Sequence, residues 1–421
     1  MNVPADFRQE YLRAMRDVVA DRDIEATAQS EDVYSTSLLR SVSSSAIDGQ
    51  FRRILAGGAP LTEYRFIYES QFGDSSGPMQ LAFDVVPNSL PPTNVHVIIG
   101  RNGVGKTTML NSIVGTIVEQ RPHDAVGRMT VSDRMHWNQE GMPADYFSSV
   151  SSVAFSAFDP FTPPADRPDR THGVSYFYIG LKRRAASAQE SDVALKPLSE
   201  LADEFISSLQ VCLSMDTKRQ HWRRAIAALE FDENFSEMSL SQLADGLAPS
   251  QEVFGRARSL FGNMSSGHKI VLLTITKLVE TVEEKSLVLL DEPESHLHPP
   301  LLSAFTRALS ELLINRNAVA IIATHSPVIV QEVPRSCVWK IRRYRDATRA
   351  ERPEIETFGE NVGSLTREIF GLEVSKSGFH DMLEKAAEQG TTFDDILESY
   401  DDQIGLEGQA VLRALLASRG A

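Results

Sequence analysis

Short apolar runs bounded by turn-forming residues recur along the chain and predict its strands. Three runs are almost wholly apolar, as expected of strands buried on both faces of a parallel sheet, and they lie in the segments Val95–Gly100, Ser286–Pro293 and Ala318–Pro327. A helical pattern covering roughly 300–314 separates the last two. This alternation of strand, helix and strand predicts an α/β fold with a parallel sheet covered by helices.

The remaining pattern adds strands around this centre and helices at both ends. Tyr64–Tyr68 and Met79–Val86 are separated by GDSSGP, which predicts two strands joined by a turn and an antiparallel β-subdomain. Apolar spacings of three and four residues predict a helical subdomain from about 195 to 259. Further strands are predicted at Ser152–Phe158, at Tyr176–Leu181 and, as the last strand, at Cys337–Arg343.

These elements divide the sequence into five parts. The first, 1–58, is a polar helical extension that ends in Gly57 and Gly58. The other parts are a core lobe at 59–194, a helical subdomain at 195–262, a second core segment at 263–345 and a C-terminal helical region at 346–421.

Composition fits a globular protein and excludes several classes. Of 421 residues, 42% are hydrophobic and 24% are charged, which excludes disorder throughout the chain. The net charge of −15 argues against a surface coated in basic residues for nucleic acid, but it is compatible with a local basic groove. Cys212 and Cys337 are too few for a disulfide framework, and no CxxC indicates structural zinc.

The sequence also predicts that no part of the chain crosses a membrane. MNVPADFRQEYLRAM at the N-terminus has no apolar core, and no run of about 18 apolar residues occurs anywhere. We therefore expect neither a secretory signal nor a membrane span, and a cytoplasmic location.

The loop after the first apolar strand matches the pattern GxxxxGK[ST] in full. It follows a predicted strand and precedes a predicted helix, a context that a chance glycine-rich turn rarely has. Loop amides at the helix N-terminus would surround phosphate oxygens, Lys106 would reach the β- and γ-phosphates, and Thr107 would offer its hydroxyl to Mg²⁺. The predicted ATP contacts are Gly100, Arg101, Asn102, Gly103, Val104, Gly105, Lys106, Thr107 and Thr108. The fold class is therefore that of a P-loop NTPase.

Two carboxylates end the second apolar strand, and a histidine follows the third. Because α/β sheets bind ligands at the carboxyl ends of their strands, Asp291 is expected beside the phosphate loop, holding Mg²⁺. Glu292 is expected to polarise the attacking water as a general base, and His325 to contact the γ-phosphate. An acidic turn after a strand and a structural histidine are both common, so these roles depend on the phosphate loop upstream.

A third group with anion-binding character precedes a long helical pattern. Ser265, Ser266 and Gly267, here called the signature turn, would present amides, hydroxyls and the helix dipole to an anion. The same residues are equally compatible with a simple helix N-cap.

The phosphate loop, SSGHK, LLDEPESHLHP and ATHSP, in this order, resemble an ATP-binding-cassette (ABC) ATPase head. The resemblance covers about residues 60–345 and is strongest to the soluble branch that contains the RecF, SMC and OLD-like ATPases. It implies a homodimer, or a larger homo-oligomer built on it, in which the signature turn of one subunit caps the γ-phosphate held by the other. Ser295 and His296 would line the dimer seam.

The sequence departs from this family at three points. Ser266 stands where transporters usually have glycine, and His268 replaces the usual glutamine or glutamate. About fifty residues after Lys106, where the family presents a metal-contacting glutamine, the chain has FSAFDP. Ser156 and Asp159 are the two candidates for that metal contact.

The sequence contains no recognised effector. It lacks a long coiled coil between 108 and 260, and its paired aspartates in DDILESYDD lack the DxD of OLD-type nucleases, which favours a solvated helix face. Phe358–His380, together with SAFDPF and SSGHKIVL, resembles more loosely the stand-alone ATPases of bacterial anti-phage systems, with the Septu type as the nearest comparison. That resemblance implies an ATPase, slow or gated, that controls a separate nuclease or toxin.

Two other functions compete with this hypothesis. A DNA-repair or chromosome-maintenance ATPase would bind DNA through basic clusters, which lie at 182–184, 218–224 and 340–345. A short basic cluster is, however, more often part of a solvated face. The nucleotide-binding subunit of a transporter is disfavoured by HLHP and by the missing glutamine.

Overall fold

The computed structural model describes residues 5–40, 47, 51–52, 62–70, 79–119, 127–132, 139–156, 161–169, 173–183, 194–245, 250–344, 347–371, 378–388 and 392–419. Two compact units divide the chain, Met1–Gly359 and Glu360–Ala421.

The strands all lie in the first unit, as far as the described residues go. They are β1 (Tyr64–Ser70), β2 (Met79–Val85), β3 (Val95–Gly100), β4 (Arg128–Ser132), β5 (Gln139–Gly141), β6 (Ser149–Ala154), β7 (Ser175–Gly180), β8 (Ser286–Asp291), β9 (Val319–Thr324), β10 (Val338–Tyr344) and β11 (Ala347–Glu351).

The helices of the first unit are α1 (Ala5–Ala14), α2 (Arg22–Gln29), α3 (Lys106–Ile117), α4 (Leu198–Ser214), α5 (Asp216–Leu229), α6 (Glu233–Met238), α7 (Gln251–Asn263), α8 (Ser266–Thr281), α9 (Pro299–Arg316) and α10 (Pro327–Gln331). Short 3₁₀ or π turns lie at Tyr34–Leu38, Leu240–Ala244, Pro293–His296 and Arg335–Cys337. The second unit has α11 (Val362–Phe370), α12 (Phe379–Glu388), α13 (Phe393–Ser399) and α14 (Leu406–Arg419).

A seven-stranded sheet, counted over the described residues, forms the centre of the first unit. Its order is β11-β10-β3-β9-β8-β6-β7, and only the β10–β11 pair is antiparallel. Every residue of β3, β8 and β9 is buried. The prediction of a parallel sheet with strands covered on both faces is therefore confirmed.

The register of this sheet brings four strand ends to one edge. Ile99 on β3 lies opposite Thr324 on β9, and Ala323 lies opposite Asp291 on β8. Asp291 in turn lies opposite Ala154 on β6. The loops that follow these strands, including the phosphate loop, therefore emerge side by side.

The predicted antiparallel subdomain is a second sheet, ordered β2-β1-β4-β5 with every pair antiparallel. Alternate residues of β1 are buried, as expected of a strand with one face on a core. Phe66 stacks on Phe83 with ring centroids 5.1 Å apart and meets Phe147 edge-on at 5.2 Å. The aromatic side chains of β1 and β2 thus join this sheet to the core.

The helical pattern predicted from about 195 to 259 forms α4 to α7, of which α4 and α5 pack on α8 and α7 packs on α4. Trp222 on α5 is fully buried, and its indole N–H donates to Thr276 Oγ1 on α8 at 3.0 Å. Cys212 on α4 is also buried, which raises the pKa of its thiol to about 12 and makes it unreactive at neutral pH.

Some strand predictions are wrong in detail. Cys337–Arg343 is not the last strand, because β11 pairs with β10 beyond it. The sheet thus extends past 345, where the sequence predicts the C-terminal helical region to begin. β11 reads ATRAE and is an edge strand, so it lacks the apolar run that marks buried strands. β6 begins at Ser149 and ends at Ala154, earlier at both ends than predicted.

The second unit has a small apolar core of its own, made by Leu383, Ala387, Ile396, Ile404 and Leu412. Thr392 and Asp395 form a capping box at the start of α13. The paired aspartates of the segment, Asp394, Asp395, Asp401 and Asp402, are exposed, in keeping with the predicted solvated face.

Across the part of the chain that the structure describes, none of the helices combines the length and hydrophobicity that a membrane span requires.

His96 is a buried polar residue in the strand that leads to the phosphate loop. Its side chain is fully buried, and neither ring nitrogen has a hydrogen-bond partner. The ring meets Phe83 edge-on with centroids 5.3 Å apart. Burial, and to a lesser degree the positive charge of Arg352, lowers the pKa of His96 to about 3.

We predict that His96 makes the fold acid-sensitive. The unfolded chain takes up a proton near the ordinary histidine pKa, whereas folded His96 stays neutral, so the folded state loses stability as pH falls below about 6.5. Between pH 7.5 and 5.5, the wild type should lose roughly 1.4 kcal/mol more unfolding free energy than His96→Leu. Urea unfolding at the two pH values measures this difference, and an equal loss in both proteins would contradict it.

Candidate functional site

The loop between β3 and α3 folds around the ammonium group of Lys106. Lys106 Nζ donates to the carbonyl oxygens of Gly100 at 3.0 Å and Arg101 at 3.1 Å. Gly103 and Gly105 have φ values of 79° and 98°, which favour glycine because a β-carbon is strained there. The loop therefore has the left-handed glycines that let its backbone curl before α3.

The rest of the loop presents its outer residues to solvent. Arg101, Asn102 and Thr108 are exposed, and Thr107 is partly buried at the start of α3. Val104 is buried and packs into the core beneath the loop. Val104 thus anchors the loop, and the exposed side of the loop faces solvent at the positive end of the α3 dipole.

The two carboxylates after β8 have different surroundings. Asp291 ends β8 and is buried. Glu292 has φ 45° and ψ 55°, a left-handed conformation that costs a non-glycine residue about 1–3 kcal/mol. Its Oε1 atom lies 3.6 Å from Lys106 Nζ and 3.6 Å from His325 Nδ1. The structure therefore brings together the three residues predicted to be catalytic.

A further carboxylate, which sequence reasoning missed, orients His325. Glu294 Oε1 accepts hydrogen bonds from the His325 amide at 2.7 Å and from Thr324 Oγ1 at 2.5 Å. The same oxygen lies 3.2 Å from His325 Nδ1. Only its place in DEPES, two residues after Glu292, could have indicated this role.

Neighbouring side chains shift the pKa values of Glu292 and His325 in opposite directions. His325 first, and then the charge of Lys106, hold the pKa of Glu292 below its usual value against the effect of burial. Glu292 first, and then Glu294, raise the pKa of His325. Glu292 therefore stays a carboxylate at neutral pH, as a general base must.

The predicted magnesium ligands, Asp291 and Thr107, supply the oxygen donors that Mg²⁺ prefers. Asp291 is a buried carboxylate on β8, and α3, which begins beside Thr107, packs against that strand. Ser156 follows β6, whose last residue lies opposite Asp291, so Ser156 lies at the same sheet edge. The other candidate for this contact, Asp159, lies outside the described residues.

The signature turn begins α8, and Ser265 is its N-cap, accepting from the His268 amide at 3.4 Å. Ser265 and Ser266 are exposed, while Gly267 is buried. A β-carbon on Gly267 would lie 2.4 Å from the carbonyl oxygen of His296, so the turn packs directly on the loop after β8. The N-cap interpretation is therefore correct, and it leaves the two hydroxyl-bearing residues facing outward.

The loop after β8 carries the two residues expected at a dimer seam. Ser295 and His296 are both exposed. Ser295 Oγ donates to the carbonyl oxygen of Glu292 at 3.0 Å, which ties this loop to the carboxylate cluster.

The basic clusters considered for DNA binding are largely engaged within the fold. Lys182 is buried and donates to the carbonyl oxygen of Phe161 at 2.7 Å. Lys340 is buried with its ammonium 3.3 Å from Glu351, and Lys218 donates to the Glu280 carbonyl at 2.7 Å. These lysines serve the fold rather than an open basic surface.

A phosphate loop that opens a helix beside a buried parallel sheet, with a carboxylate-ended strand in the same sheet, is the arrangement of a P-loop ATPase domain. A family model described as "AAA domain, putative AbiEii toxin, Type IV TA system" matches residues 251–331, which include the signature turn and the carboxylate strand.

A relative from a phage matches almost the whole chain. Protein ea59 of Escherichia phage lambda is 46% identical over 428 residues, an alignment that covers 98% of this chain and 80% of the phage protein. The chain therefore belongs to the same family as protein ea59.

Solved structures with weaker similarity include two ATPase heads. The ADP conformation of MJ1267, an ATP-binding cassette of an ABC transporter, is 13% identical, with a TM-score of 0.37 and coverage of 75% of this chain and 100% of that one. The SMC head domain from Thermotoga maritima is 12% identical, with a TM-score of 0.37 and coverage of 70% and 100%.

We predict that Gly267→Ala separates the signature turn from the loop Pro293–His296. The new methyl group meets a backbone oxygen that cannot swing aside, so we expect a loss of about 1–3 kcal/mol in unfolding free energy. Gly255→Ala is the matched control, because Gly255 is an exposed glycine within α7 with nothing near its β-carbon position. It should stabilise the protein by up to about 1 kcal/mol. Equal midpoints of urea unfolding for the two variants would refute this packing.

Proposed function

We propose that this protein binds and hydrolyses ATP at two sites, each shared by two copies arranged head-to-head, and that this cycle controls a separate nuclease or toxin in anti-phage defence. The observation that carries the proposal is the cluster of Lys106, Glu292 and His325 at the mouth of a complete phosphate loop.

Each residue of the cluster has a role that follows from its contacts. Lys106 has its ammonium group inside the phosphate loop and would balance the charge of the β- and γ-phosphates. Glu292, kept ionised by its neighbours, would take the proton of the attacking water. His325, held by Glu294, would donate to the γ-phosphate. Mg²⁺ held by Asp291 and Thr107 would neutralise charge that develops on the phosphates.

The need for two copies is supported by the exposure of the signature turn. Ser265 and Ser266 face outward from the N-terminus of a 16-residue helix, where amides and the helix dipole favour an anion. A γ-phosphate held by a second copy is the partner that this arrangement fits. Because such a ligand binds well only to the paired state, ATP would drive association and hydrolysis would reverse it.

The defence role is supported by the family model rather than by the site. The model that matches residues 251–331 carries a description that names the AbiEii toxin and a type IV TA system. The described residues of the second unit form helices and contain no strand, which agrees with an effector on another chain. Burial of Lys182 and Lys340 does not favour the alternative of a DNA-repair ATPase.

We predict that Glu292→Gln traps an ATP-bound dimer. The amide keeps the shape of the side chain but cannot accept the proton of water, so hydrolysis should fall by about 10²–10⁴-fold. Light scattering after size exclusion should show a dimer with ATP and Mg²⁺ and a smaller species without them. Lys106→Ala is the control, and it should have the size of the nucleotide-free species both with and without ATP and Mg²⁺.

A variant Glu292→Gln that keeps the size of the nucleotide-free protein at saturating ATP would refute the shared sites. The same wild-type preparation, incubated with DNA, ATP and Mg²⁺, should leave the DNA intact. Degradation by this chain alone would refute the separate effector while leaving the ATPase proposal standing.

A further inference from the structure

A chain of polar contacts runs from the signature turn to the helical subdomain. Ser265 Oγ lies 2.6 Å from His268 Nδ1, and His268 Nε2 lies 3.0 Å from Asp232 Oδ1. His298 Nε2 lies 3.5 Å from the other oxygen of Asp232. The side chains of His268 and Asp232 are each only 7% exposed, so water does not compete freely for these contacts.

The direction of each hydrogen bond follows from the state of Asp232. Burial alone would raise the pKa of Asp232, but the hydrogen bond with His268 and those from the amides of Phe235 and Asn234 hold it below its usual value. An ionised carboxylate only accepts hydrogen bonds, so His268 Nε2 must be the donor. A neutral imidazole has a single N–H, which leaves Nδ1 as an acceptor for the Ser265 hydroxyl.

In this assignment, the single hydrogen of the Ser265 hydroxyl is used in the bond to His268 Nδ1. A phosphate oxygen only accepts, so Ser265 can bind it only by turning that hydrogen outward. Ser265 Oγ and His268 Nδ1 would then face each other at 2.6 Å with no hydrogen between them, unless Nδ1 gains a proton. A protonated ring donates from both nitrogens, to Ser265 and to Asp232, and frees the hydroxyl.

We propose that His268 and Asp232 are positioning residues that make γ-phosphate capping by Ser265 conditional on the uptake of one proton by His268 at each site. The proposal rests on the proposed function, in which Ser265 acts on the ATP of a second copy. The proton comes from solvent, and the Asp232 carboxylate stabilises the imidazolium that forms.

The surroundings of the ring support this role. The charged or titratable groups that face it are Asp232, just before α6, and His298, at the start of α9, with ring centroids of the two histidines 6.2 Å apart. Phe235 covers another side of the His268 ring at 5.0 Å. Asp232 is thus the carboxylate in contact with the buried ring, where it would pair with the charge of an added proton.

A metal site is the competing interpretation of the same residues. The ligand atoms of Asp232, His268 and His298 lie within 4.8 Å of one another. However, His298 Nδ1 accepts from the Leu301 amide at 3.3 Å, which puts the ring proton on Nε2, toward Asp232. Hydrogens thus occupy the directions in which a metal would be bound, and we favour the proton relay.

The pH dependence of ATP-driven dimerisation tests the proposal. In a Glu292→Gln background with ATP and Mg²⁺, sedimentation from pH 6.5 to 8.5 would give the dimerisation constant with and without His268→Gln. A glutamine amide donates to Ser265 Oγ at every pH, so the variant needs no proton. Above the titration range of histidine, the dimerisation constant of the protein that keeps His268 should fall with rising pH more steeply than that of His268→Gln. The extra fall should be about 100-fold per pH unit, because two protons are taken up per dimer.

Titration of ATP and of His325 is common to both proteins and cancels in this comparison. Equal slopes in two proteins that both dimerise would overturn the role of His268 and leave the proposed function intact. No dimer at any pH in either protein would overturn the proposed function, and this role with it.

A second measurement tests the proton positions without nucleotide. Ring ¹⁵N spectra of the intact chain at pH 8, assigned by the signals lost in His268→Gln, should show a proton on Nε2 and none on Nδ1. A proton on Nδ1 of neutral His268 would overturn the proposal, because the Ser265 hydroxyl would then already be free. Addition of Zn²⁺ should leave these signals unchanged, and a shift at stoichiometric metal would overturn the relay in favour of the metal site.

Discussion

The close approach of the Glu292 carboxylate to the Lys106 ammonium is the interaction on which the rest of the site depends. The two residues lie far apart in sequence and meet because β3 and β8 flank β9 in register, so that their ends share one sheet edge. The left-handed turn at Glu292 then directs its carboxylate toward the phosphate loop. A backbone held in this costly conformation is maintained by the buried strands on both sides.

The same turn connects the chemistry to the surface where a second copy would bind. Glu292 offers its carbonyl oxygen to Ser295, and the adjacent His296 carbonyl packs on Gly267 of the signature turn. From there, Ser265 leads through His268 to Asp232 at the edge of the helical subdomain. The packing of Gly267 on the His296 carbonyl and the contact of His268 with Asp232 are made by buried or backbone atoms, which have little freedom to adjust, so a displacement at either is transmitted to its neighbours.

The features that the sequence predicted are those encoded by contiguous residues. The phosphate loop, the carboxylate strand and His325 each follow an apolar strand, and parallel pairing places all three at one edge. The features that it missed depend on tertiary structure. Asp232 lies between helices with no motif around it, and it becomes informative only when α6 and α8 bring it to His268. β11 was not predicted because it is an edge strand, which needs no apolar run.

The central claim, that each ATP site is completed by a second copy, is tested most directly by mixing two inactive variants. Lys106→Ala would lose the phosphate loop but keep the signature turn, and Ser265→Arg would do the reverse. If the sites are shared, a mixed dimer contains one intact site of two, so an equal mixture should recover ATPase activity, up to about half of the wild-type rate. A mixture that stays as inactive as its two components would contradict the account.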